Sequence, residues 1–181
     1  MYSFEFDKSI PFTLLKEINS IEFSEGVFIW IWHANKIPPH IGVSIDGKYF
    51  SLKVKGKDEQ LPVTKIKDII TKKSIGTFII QTDFNSNLKN VASVFKRFTK
   101  AESLKTTCLN PIQEIYGLKG EKMILAELLN NFQTKGIITK VFSINLDAEC
   151  RGIPKYGKKE IEARLIHLEN AKRSKSILKG T

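Results

Sequence analysis

The chain has 181 residues, enough for one domain with a full apolar core. Its 41% hydrophobic and 27% charged content is that of a globular protein, which excludes collagen-like and disordered classes. The formal charge is +10, two cysteines exclude a disulfide scaffold, and no apolar run reaches the ~18 residues of a membrane span.

The N-terminal residues Met1-Tyr2-Ser3-Phe4-Glu5-Phe6-Asp7 lack a basic region followed by an apolar one, so no secretory signal is read. Together with the low cysteine count this points to a cytoplasmic setting, with leaderless export left open. Residues 151–181 hold nine Lys/Arg and three acids, so more than half of the excess charge sits there. A basic C-terminal helix or tail can attract an anionic partner such as nucleic acid; its simpler role is solubility.

In chain order, residues 1–26 read as a strand or irregular lead-in followed by a short helix over Pro11–Asn19, because proline suits a helix start. Val27–His33 is a β-branched and aromatic run, hence a buried strand, with Trp30 and Trp32 on one face. Pro38 and Pro39 break it. Asp46-Gly47 then separates Ile41–Ile45 from Lys48–Val54, the pattern of a two-residue type I′ hairpin. That turn places Ile45 opposite Lys48, Ser44 opposite Tyr49, Gly42 opposite Ser51 and His40 opposite Lys53.

Residues 56–60 read as a polar loop. Val63–Lys72 has apolar residues at helical spacing, and Gly76–Asp83 reads as a strand. Asn85-Ser86-Asn87 caps a helix expected to run to about Glu102. Thr106-Thr107 caps another, Cys108–Tyr116, ended by Gly117. Glu121–Phe132 is a periodic helix, Ile137–Leu146 a strand, and Lys158–Ala171 an amphipathic helix with Ile161, Leu165 and Leu168 on one side. The chain is therefore expected to be α+β, a small antiparallel sheet packed against helices, in one domain spanning 1–181.

Two residues carry candidate chemistry. Cys108 opens a helix, where unpaired N–H groups favour a thiolate. His40 opens a strand and is the right group to take the thiol proton. Each also has a plain structural role, as a small buried thiol and a strand-edge imidazole. His33 competes with His40. His33, His40 and Cys108 do not make a zinc site, because no further cysteine or carboxylate stands at ligand spacing. No phosphate-binding glycine loop and no cofactor motif is present. Trp32, His33 and Tyr49 are expected to line the groove beside His40. Trp30 and Trp32 fit a core or groove face better than a base-stacking platform.

His40-Ile41-Gly42-Val43-Ser44-Ile45-Asp46-Gly47-Lys48 followed by Thr107-Cys108 resembles the circularly permuted branch of the NlpC-type papain-like cysteine hydrolases, the branch of the lecithin retinol acyltransferase-like proteins. The resemblance covers about residues 27–118, the expected catalytic core. It implies a papain-like fold in permuted order, with the histidine strand before the cysteine helix. It also implies a thiol hydrolase or acyltransferase in which Cys108 attacks a peptide, amide or lipid-acyl carbonyl and His40 moves the proton. The third polar residue that orients the histidine in this family falls near Ser51 or Lys53, with Gln81 on the third strand as another candidate. Serine accepts an imidazole N–H bond and lysine does not. That gap leaves two other readings: a degenerate papain-like interaction module, or a basic protein that binds nucleic acid or another anionic partner.

Overall fold

A computed structural model describes residues 2–103, 105–120 and 123–177, with side chains described as far as Ala171. The strands are β1 (Tyr2–Glu5), β2 (Phe12–Leu15), β3 (Val27–Trp32), β4 (His40–Ile45), β5 (Lys48–Lys53), β6 (Gly56–Pro62), β7 (Thr77–Thr82), β8 (Ile138–Ile144) and β9 (Gly152–Pro154). The helices are α1 (Val63–Lys72), α2 (Leu88–Lys96), α3 (Leu109–Ile115), α4 (Leu125–Thr134) and α5 (Lys158–Ile177). The protein is thus α+β. Its main sheet has seven strands in the order β2-β8-β7-β3-β4-β5-β6, larger than expected. Among the described residues only the edge pair β2–β8 is parallel. β1 and β9 form a separate antiparallel pair.

Helices cover both faces of the sheet, and the strand sequences show why. All six residues of β3, Val-Phe-Ile-Trp-Ile-Trp, are buried, because successive side chains enter opposite cores. Ile29, Ile31, Ile41, Val43, Phe50 and Leu52 face a core shared with α2, α3 and α4. Phe28, Trp30, Trp32 and Tyr49 face a second core under α1 and the segment containing Ile18 and Phe23. Trp30 donates from Nε1 to Ser44 Oγ at 2.8 Å, and its ring meets Tyr49 at 6.2 Å. The tryptophan pair is therefore packed sheet face, not a base platform.

The hairpin register is the expected one, Gly42 to Ser51 and Ser44 to Tyr49. Asp46 and Gly47 both take positive φ, 49° and 70°, as a type I′ turn requires. Asn87 caps α2, with Oδ1 accepting from the Asn90 N–H at 2.9 Å, and Gly117 at φ 74° follows α3.

Several expectations fail for identifiable reasons. Phe12–Leu15 is an edge strand rather than part of a helix, and only Ile18–Ser20 makes a helical turn. The strand is held by the β8 ladder, a distant partner that local propensity cannot reveal. Residues 56–60 belong to strand β6, whose charged side chains suit a sheet edge. α2 stops at Lys96 instead of near Glu102. α4 begins at Leu125; the expected start at Glu121 and its neighbour Lys122 lie outside the described residues. α5 extends to Ile177, but the side chains beyond Ala171 and all of residues 178–181, much of the basic tail, also lie outside them. No helix among the described residues is long and apolar enough to cross a membrane.

Candidate functional site

β4 begins at His40, but its ladder with β5 begins only at Gly42. Two residues of β4 are thus left without a β5 partner. Beside them α3 starts, and the segment 38–41 and α5 close around a cavity of about 430 Å³. Cys108, His40, Trp32 and His33 all line it. So do the apolar side chains of Ile41, Leu52, Val54, Leu109 and Leu125, and α5 contributes Ile161, Leu165 and Leu168.

Cys108 occupies the position before α3, already in helical conformation at φ −63°, ψ −16°. Its side chain packs with the Ile41 side of the sheet. His40 belongs to the other face by strand alternation, opposite Trp32 and in line with Gly42 and Ser44. The two residues therefore approach the cavity from opposite sides of the same strand end. The His40 Nε2 atom is enclosed and has no hydrogen-bond partner among the described residues, so no bond joins it to the thiol.

Burial sets the charge state of both groups. It pushes the Cys108 thiol up, against a smaller opposing pull from the Ile41 backbone amide and its own. It holds the His40 imidazole down at about 4; Lys53 and His33 push the same way, and Asp58 opposes them. Both groups rest neutral near pH 7. The amides of the first α3 turn are also committed: Leu109 N–H donates to Thr107 Oγ1 at 3.3 Å and Asn110 N–H to the Thr107 carbonyl. Pro111 has no N–H, so this turn offers an oxyanion little beyond the Cys108 amide.

Ser51 is buried, and its hydroxyl donates to Asp58 Oδ2 at 2.7 Å rather than supporting His40. Lys53 pairs with the other oxygen of Asp58. Asp58 is the acidic group that acts on His40; it lies in β6, whose residues 56–60 carry the polar pattern of a loop, so nothing in the sequence marks it. Gln81 pairs with Phe28, four residues along β3 from Trp32, which puts it about 13 Å from the His40 end. The structure does not bring it to the site. Tyr49 is 1% exposed and lies beneath the site, with its ring 6.0 Å from that of Trp32.

Among the described residues the cavity also receives Lys53, Lys55 and Arg164 and no carboxylate. Arg164 acts on His33, helping to hold its imidazole below the usual value after burial and Lys36. Lys55 and Arg164 were not singled out in the sequence, where nothing marks them among many surface cations. Among the described residues no group of three or more His, Cys, Asp or Glu is arranged to hold a metal ion. Compared with known proteins, the chain matches no family model, no curated protein and no solved structure.

Proposed function

We propose that the cavity between β4, α3 and α5 is the working site of this protein and that it binds a small apolar molecule. The observation that carries this reading is an apolar space of about 430 Å³, within the ~300–1,000 Å³ of small-molecule sites, with a thiol and an imidazole on its wall. In this reading the chain is an interaction module, and its likeness to papain-like proteins is that of a member without a resting catalytic pair.

The second reading is a thiol hydrolase or acyltransferase of the permuted papain-like type, with Cys108 as nucleophile and His40 as base. It is favoured by the shared cavity wall, which brings a strand-start histidine and a helix-start cysteine to one space. The electrostatics weigh against it at rest. The thiol lies above its ordinary 9.0 and the imidazole at about 4. Burial disfavours the charged form of each group, so it works against the ion pair without substrate. An anionic partner at the basic residues 151–181 is a separate proposal, supported by composition alone.

The rate of Cys108 alkylation by iodoacetamide against pH separates the first two readings. For the binding module the inflection lies above pH 9 and is unchanged in His40→Ala. An inflection below pH 8 that disappears in His40→Ala would establish the hydrolase instead.

A further inference from the structure

The cavity wall has a charge pattern that its apolar content does not require. Among the described residues three cationic side chains reach it, Lys53, Lys55 and Arg164, and no aspartate or glutamate does. Lys53 is neutralised by Asp58. Lys55 and Arg164 have no ion-pair or hydrogen-bond partner among the described residues. They come from different elements, one from the β5–β6 turn and one from α5, and both are exposed. Apart from Cys108, Thr107, Tyr156 and the two histidines, the remaining wall is hydrocarbon, including Leu52, Val54, Leu125 and Leu165. A neutral apolar ligand would leave the two cations unused, and a highly charged one would strand the leucines.

We propose that the cavity binds a single-chain fatty acid, with its alkyl chain among the leucines and its carboxylate at Lys55 and Arg164. At roughly 30 Å³ for each water-sized group, the space takes on the order of a dozen heavy atoms, a medium-length chain. The cations lie at the exposed rim, so the carboxylate stays partly hydrated while the chain is buried, and no charge has to be buried unpaired. The proposal rests on the reading of this cavity as a ligand site and not on any reaction at Cys108.

The test is calorimetric titration of the full chain with dodecanoate, dodecanol and dodecylammonium, each below its micelle concentration. Dodecanoate should bind saturably at one site, about tenfold tighter than dodecanol, the strength of two rim ion pairs. Lys55→Ala/Arg164→Ala should lose that preference and keep dodecanol binding. Leu165→Trp, which fills the cavity, should abolish binding of both. Equal affinity for dodecanol, tighter binding of dodecylammonium, or more effective occupation by an apolar peptide would overturn the fatty acid while leaving the cavity as a ligand site. Absence of binding by every probe to the folded protein would overturn both.

Discussion

His40 shows how one residue can be placed by the sequence and still behave unlike its expected role. Its position at the start of β4, opposite Trp32, follows from the hairpin and the alternation of the strand. Its charge state follows from burial, which only the packed structure supplies. The imidazole has an ordinary value of 6.5 and sits at about 4 in the folded protein. Above pH 6.5 it is neutral folded and unfolded, and the preference contributes in full. As pH falls from 6.5 toward 4 the unfolded chain takes up a proton that the folded chain refuses, so stability declines across that window by up to about 3 kcal/mol. Chemical denaturation at pH 7 and pH 4.5 should show this loss, and His40→Gln should flatten it. A slope of equal size in the variant would assign the effect to other groups.

At the scale of elements, the hairpin, β3, β7, α1 and β8 were legible because their signals are local. Asp46-Gly47 needs only two neighbouring residues to be read, and the β3 run is apolar on both faces because both are covered. β2 and β6 were not legible, because each is an edge strand whose conformation comes from a partner elsewhere in the chain. Missing β6 hid Asp58 and left Ser51 as the apparent support for His40. A tighter constraint within the hairpin was also invisible in sequence. A Cβ placed on Gly42 would collide with the Tyr49 hydroxyl and ring carbons, and Tyr49 is fixed between Trp30 and Trp32. Gly42→Ala is expected to cost about 1–3 kcal/mol by overpacking, measured as a lower midpoint of urea unfolding. An unchanged midpoint would mean that the second core yields more readily than its packing implies.

Across the whole molecule, α5 differs from the other helices in how it is held. Ile161, Leu165 and Leu168 pack against the main core, and Glu169 accepts from the backbone and hydroxyl of Ser103 at 3.0 and 3.2 Å. Arg164 flanks that face at the cavity rim, and the far side of the helix is exposed at Ile166 and His167. The periodicity of Ile161, Leu165 and Leu168 made the helix legible, but not that it roofs a cavity. Leu165→Asp/Leu168→Asp should detach α5 while the sheet remains folded. The expected readout is increased fluorescence of an added hydrophobic dye with the sheet signal in circular dichroism retained. Loss of that signal would instead make α5 an integral part of the fold.

Because α5 supplies one side of the cavity, occupancy and helix docking are two descriptions of one equilibrium. A molecule that fills the space adds its contacts only when the helix is seated, so it favours the seated form by the same free energy with which the seated helix favours it. The C-terminal segment thereby becomes a reporter. Its susceptibility to trypsin, at a helix rich in lysine and arginine, should register whether the interior is empty or full, without any probe entering the site.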